Sequence, residues 1–197
     1  MLRCQKQLGQ WRNIKTRRLD LRTIYPLYFS PQTQMVSVIA SLKSYGQFWS
    51  TIQQQMSSPS TPKTLTYNNS GPFKDMTYSG SQITVQYNGV YEVIPSIQLR
   101  RLSGGTATTA DVWIRVNGFD LADSAIQTVV PGGSATETFV CFAILLPLNA
   151  GDNFEVVFAT NDPTNTVVEY FPAFTNPPDP YDRPAVPSII TTVKQLE

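Results

Sequence analysis

The side chains best placed to do acid–base chemistry are three carboxylate pairs, Asp120 with Asp123, Asp152 with Glu155, and Asp179 with Asp182. Two carboxyl groups held ~5–9.5 Å apart across a cleft can divide the acid, base and nucleophile roles between them, as in glycoside hydrolysis. Each pair here lies in or beside a turn, where Asp serves capping and solubility, and no strand carries several acids at alternate positions. Histidine is absent, which excludes imidazole triads, histidine zinc motifs and the usual general base near neutral pH. The two cysteines, Cys4 and Cys141, form no Cys-x-x-Cys pair and are too few for a thiolate metal site. Cys141 lies inside the apolar run from Phe139 to Leu146, so it is expected to be a small buried hydrophobe. The Asp-x-Asn-x-Asp spacing of a calcium loop is missing too. The chain is expected not to be an enzyme and to use neither cofactor nor metal.

Binding chemistry has more candidates. Trp49, Trp113 and Tyr181 are candidate glycan contacts, since aromatic rings can stack on sugars while Asp and Asn supply hydrogen bonds; structural packing is the competing role for each. The Asn68-Asn-Ser70 sequon matters only in a secretory lumen and carries no weight. Basic charge is concentrated at one end. Residues 1–43 hold eight basic side chains against the single acid Asp20, a net of +7, and the remainder holds seven against thirteen, a net of −6. Arg12, Lys15, Arg17, Arg18 and Arg22 are the candidate anchoring residues of this arm. Nucleic-acid phosphate is one partner they could neutralise, with Trp11 and Tyr25 stacking. Docking on protein is favoured, because the arm continues into the apolar Ile24-Tyr-Pro-Leu-Tyr-Phe29 and Met35-Val-Ser-Val-Ile-Ala40, which nucleic acid would not bury.

The elements that must position these residues are strands. With 41% hydrophobic, 11% aromatic and 15% charged residues the chain has the composition of a folded globular protein. Its 197 residues suit one domain with an appendage: an arm over 1–43 and a body over 44–197. The start is too polar for a secretory signal, and the longest apolar run, Phe139 to Leu148, is about half of the ~20 residues a membrane helix needs, so no membrane span is expected. From Thr51 onward, period-two or continuous apolar segments at 64–68, 82–87, 90–101, 110–117, 124–130, 136–147, 153–160, 165–172 and 186–195 predict strands. A short helix is the alternative over Met35 to Ile52, where the spacing is ambiguous. Asn117-Gly118 between Val116 and Phe119 predicts a two-residue type I′ hairpin. Gly151 is expected to let the chain reverse after Pro147, and the Pro-rich stretch from Pro172 to Pro184 to be an extended loop. About ten short strands without intervening helices predict an all-β antiparallel jelly-roll β-sandwich with an extended N-terminal arm. Strands 90–101 and 136–147 read as buried on both faces, the mark of a sandwich that packs on a subunit neighbour, although a bulge or a covering loop gives the same pattern.

Several segments resemble the tumour necrosis factor and complement globular-head superfamily. Ile83-Thr-Val-Gln-Tyr-Asn-Gly-Val-Tyr91 is similar to its early strands, Asp111 to Gly118 to the strand ending in Asn-Gly, and Leu146-Pro-Leu-Asn-Ala-Gly-Asp152 to its leucine-rich strand and Gly-Asp turn. Tyr45-Gly-Gln-Phe-Trp-Ser-Thr51 with Gln53, and Pro187-Ser-Ile-Ile-Thr-Thr-Val193, further resemble virion proteins of marine tailed phages and large algal viruses that carry this domain. The chain departs from the animal ligands in ending Ile-Ile-Thr-Thr-Val-Lys-Gln-Leu, without a Gly-Phe-rich final strand. The resemblance covers roughly 45–195 and implies a TNF-like jelly roll that assembles as a homotrimer. It also implies a place in the virion, as a decoration, fibre head or minor capsid protein attached to other capsid proteins through the arm. The alternatives are a penton, vertex or shell protein with the arm inside, and a head that attaches to a glycan or receptor.

Overall fold

A computed structural model describes residues 43–174 and 182–197. The chain divides into two units, Met1–Leu42 and Lys43–Glu197, and every described residue belongs to the second. The five anchoring candidates from Arg12 to Arg22, Cys4, Tyr181 and Asp179 lie outside the described residues.

Among the described residues, fourteen strands, all paired antiparallel, build two sheets. Sheet I contains β1 (Tyr45–Ser50), β3 (Asn69–Lys74), β6 (Gly89–Arg101), β10 (Glu137–Cys141), β11 (Ile144–Leu148), β13 (Thr166–Val168) and β14 (Ile189–Gln195). Its order is β10-β6-β14-β1-β3; β11 pairs with β6 on the flank of β10, and β13 with β6 above β14. Sheet II contains β2 (Lys63–Thr64), β4 (Met76–Ser79), β5 (Gln82–Val85), β7 (Thr108–Val116), β8 (Phe119–Asp120), β9 (Ile126–Val130) and β12 (Asn153–Thr160). Its order is β4-β5-β12-β7-β8, with β2 on β12 and β9 on β7. The predicted all-β sandwich is present, and the strand count exceeds ten because several elements are two or three residues long. No helix occurs among the described residues, and residues 45–50 of the helical alternative are strand. The helix reading failed there because Phe48, Ser50 and Gly46 alternate inward with Tyr45, Gln47 and Trp49 outward.

Alternation decides the core. Tyr91, Val93, Ile97 and Leu99 of β6 point inward with Phe48, Leu146, Ile189 and Val193, facing Ile83, Ile114, Phe154, Val156 and Phe158 of sheet II. Phe48 lies 5.1 Å from Tyr78 and 6.3 Å from Tyr67, ring centre to ring centre. Tyr67 shares a 2.8 Å hydrogen bond between its hydroxyl and that of Thr191 on β14, and burial pushes its phenol well above the usual tyrosine range.

Three expectations are corrected. The segment 90–101 is not buried on both faces, since its outward residues are only half-buried. The segment 136–147 is divided into β10 and β11, both in one continuous register with β6. The gap falls opposite Pro95 of β6, which has no N–H for the ladder, although Phe142 N–H donates to its carbonyl at 3.4 Å. The outward side of that segment is exposed, and Cys141 with it. A run of apolar letters on an edge strand buries one face only, because each second residue points away from the core. The Asn117-Gly118 hairpin is as expected, with φ of 51° and 83° and Val116 opposite Phe119. Gly151 also takes a positive φ, 91°.

Candidate assembly surface

The outward residues of sheet I form cross-strand rows. Trp49, Ile190, Ser96 and Cys141 make one, since Trp49 stands opposite Ile190, Ile190 opposite Ser96, and Ser96 opposite Cys141. Ser96 Oγ lies 3.3 Å from Cys141 Sγ, which fixes both on the same side. Gln47, Thr192 and Ile94 make a second row, and Tyr45, Lys194, Glu92 and Leu145 a third. Val90 and Pro147 continue past it at one end, and Gln98 and Phe139 at the other. Leu145 is 58% exposed and Phe139 54%. Glu92 and Lys194 are paired across β6 and β14 as the acid and base of the third row. β-branched and aromatic side chains pack such rows well on a pleated surface, and in a single chain the rows face outward.

Sheet II turns out a different chemistry. Asp120 Oδ1 accepts from Trp113 Nε1 and from Arg115 Nε, each at 2.8 Å, and the Trp113 bond followed by the Arg115 bond holds its carboxyl below the usual carboxylate range. Gln127 Nε2 donates to Asp111 Oδ1 at 2.9 Å, and Ser81 Oγ to the buried carboxylate of Glu155. Asp152 Oδ2 accepts the Asn149 backbone N–H at 2.7 Å and Oδ1 accepts Asn117 Nδ2 at 2.8 Å, the former being the larger reason its carboxyl is also lowered. Exposed apolar groups on this sheet are confined to its rim: Phe119, Leu121, Ile126 and Val129.

Among the described residues, three carboxylates of those pairs are taken up in turns and hydrogen bonds. Asp120 is tied to Trp113, Asp152 closes a turn and Glu155 is held by Ser81; Asp182 is exposed. Trp49 and Trp113 are not brought together, since they lie on the outer faces of different sheets. No group of three His, Cys, Asp or Glu that could hold a metal occurs among the described residues, and no helix among them is long and apolar enough to cross a membrane. What sequence reasoning missed is the outward row itself. The parity of Glu137, Phe139 and Cys141 carried the signal, and it was overridden by the continuous apolar run that follows.

No family model matches the chain, and no curated protein does. Among solved structures it is similar to the globular domain of zebrafish complement 1qA protein, with 10% identity and a TM-score of 0.48, covering 79% of this chain and 98% of that one. At that distance the likeness carries nothing about ligand or partner, and the antiparallel two-sheet sandwich stands on the strand pairing itself.

Proposed function

We propose that this chain is a non-enzymatic structural protein of a virion, a jelly-roll head that assembles with copies of itself through the outer face of sheet I and is attached to other capsid proteins by the arm over 1–43. The observation that carries the reading is the contrast of faces: Ile94, Ile190, Tyr45, Trp49, Phe139 and Leu145 lie outward on sheet I, whereas the carboxylates of sheet II are engaged at home. A large apolar patch on a folded domain marks an interaction surface. A second copy suits it, because the Glu92–Lys194 pair supplies one charge of each sign and a rotated copy can answer both. The virion setting rests on the residues at 45–53 and 187–193, and attachment rests on the eight basic residues of the arm.

Light scattering behind size exclusion tests the reading on the full chain and on a 44–197 piece. A mass near three times the 21.9 kDa chain is expected from the full chain, and a trimer from the piece assigns the arm to attachment alone. A monomer from both at every concentration overturns self-assembly. A pentamer moves the chain to a vertex position.

A further inference from the structure

Two segments meet where β12 turns into β13: the turn 161–165 and the loop 55–59, which lies between β1 and β2. The turn is fixed from several sides. Asp162 N–H donates to Thr160 Oγ1 at 3.2 Å, Asn165 and Thr166 N–H donate to Asp162 O at 3.3 and 2.9 Å, and Asn161 Oδ1 accepts the Thr109 N–H at 3.0 Å. Gln55 Nε2 draws the loop alongside by donating to Pro163 O at 2.7 Å and Thr164 O at 3.0 Å, and the Sδ of the buried Met56 accepts the Thr160 N–H at 3.2 Å. Between turn and loop lies a groove of about 530 Å³, within the ~300–1,000 Å³ of small-molecule sites. Its charged side chain, Asp162, is backed by Arg101. Arg101 ends β6 with inward parity, is 4% exposed and sets Nη2 3.0 Å from Asp162 Oδ2, while its Nε and Nη1 are buried without a hydrogen-bond partner among the described residues. Asn165 Nδ2 holds the same carboxylate at 3.2 Å. A guanidinium buried with donors unanswered costs stability, and pairing it with a carboxylate offsets that cost poorly, so folding alone does not account for the arrangement. What it achieves is a carboxylate of fixed position, balanced in charge from behind and still 23% exposed.

We propose that this groove binds a neutral carbohydrate, with Asp162 accepting from sugar hydroxyls and Asn161, Gln55 and Ser57 completing the polar contacts. Three properties select that class. No lysine, arginine or aromatic ring lines the groove among the described residues, so nothing in the lining pairs with a phosphate, sulfate or carboxylate, and Asp162 repels one. Arg101 already balances Asp162, and without an aromatic cage an organic cation gains little. The remaining groups are uncharged and of both polarities. Asn161 spends its Oδ1 and Gln55 its Nε2 within the chain, which leaves the Asn161 Nδ2 donors and the Gln55 Oε1 acceptor to a ligand, a set that answers hydroxyls able both to donate and to accept. The groove is distinct from the outer faces that carry Trp49 and Trp113, and it is independent of the assembly reading.

The full chain, fluorescently labelled, is tested on an array of immobilised neutral and sialylated glycans. Binding to neutral glycans, competed by the free terminal monosaccharide, is expected, with affinity lowered tenfold or more by Asp162→Asn and by Ser57→Trp. Ser57 is exposed, so the tryptophan fills the groove from the surface and decides the matter should Asp162→Asn fail to fold. An array with no neutral glycan bound overturns the proposal, and so does neutral binding that Ser57→Trp leaves unchanged. Loss in Trp113→Ala but not in Ser57→Trp overturns it too, by placing the sugar on sheet II. Light scattering on the same sample keeps the two readings apart: a monomer that binds sugar overturns assembly and leaves the groove, and an oligomer that binds none does the reverse.

Discussion

On sheet II, Trp113 and Arg115 both reach for Asp120, Gln127 for Asp111 and Ser81 for Glu155, so the polar groups of the outer face are answered within the chain. On sheet I the outward rows set Tyr45, Trp49, Ile94, Ile190, Phe139 and Leu145 among Gln47, Ser96, Gln98, Thr192 and the oppositely charged Glu92 and Lys194. Both sheets pack the same core with the same alternation, so folding alone does not require the difference. A surface that satisfies its own hydrogen bonds is finished in the monomer, whereas an apolar one gains from being covered. On the proposed reading, the outer face of sheet I is the one covered by protein and that of sheet II the one left to water.

The sharpest way to break that comparison is to place a charge on each face in turn. Leu145→Asp with Phe139→Asp is expected to raise the dissociation midpoint about 30-fold or more, taking ~2 kcal/mol for an interface anchor. Val129→Asp on the rim of sheet II is expected to leave the mass unchanged. Equal loss in both would show that the faces do not differ.

Next in size comes a change beneath sheet I. Thr191 points inward between the outward Ile190 and Thr192, and Thr191→Val leaves the buried Tyr67 hydroxyl without it. A loss of ~1–3 kcal/mol in urea unfolding is expected, with the m-value retained. A shift in oligomer mass instead would mean that the two sides of the sheet are not separable.

Gly118→Ala tests the turn that delivers Asp120 to Trp113. At φ 83° a side chain is strained, and a loss of about 1 kcal/mol is expected, read as a lower thermal midpoint without loss of assembly.

The smallest effect is acidic. Asp120 and Asp152 have folded-state pKa values below the ordinary 3.8, so the stability they add is present above that value and fades as pH falls through their lowered values. Melting between pH 7 and pH 2.5 should therefore drop less for Asp120→Asn with Asp152→Asn than for the parent chain. Parallel profiles would mean that the sheet II network adds nothing.

Much of the fold was legible because it is written in short-range chemistry. Asn117-Gly118 names its turn type, Gly151 its reversal, and the alternation in 91–99 its inward face. The break between β10 and β11 was less so, since it is set by Pro95 on the neighbouring strand, 46 and more positions away in sequence. The exposure of Cys141 follows from its outward parity with Glu137 and Phe139, a local signal masked by the apolar run that surrounds it. The stretch from Pro172 to Pro184 was read as an extended Pro-rich loop, and its described parts are extended. That Arg183 stacks on Phe174, nine positions earlier, follows only from the backbone pairing of the two.

The place of β14 sets the order in which the molecule can be made. This last strand lies in the interior of sheet I, between β6 and β1, and Gln195 on it accepts from Ser44 N–H while donating to the carbonyls of Asn88 and Glu197. A chain made only up to residue 188 has no strand to fill the place between β6 and β1. Only the arrival of residues 189–195 joins them. A chain interrupted before that point lacks the keystone and leaves those edges open to other strands.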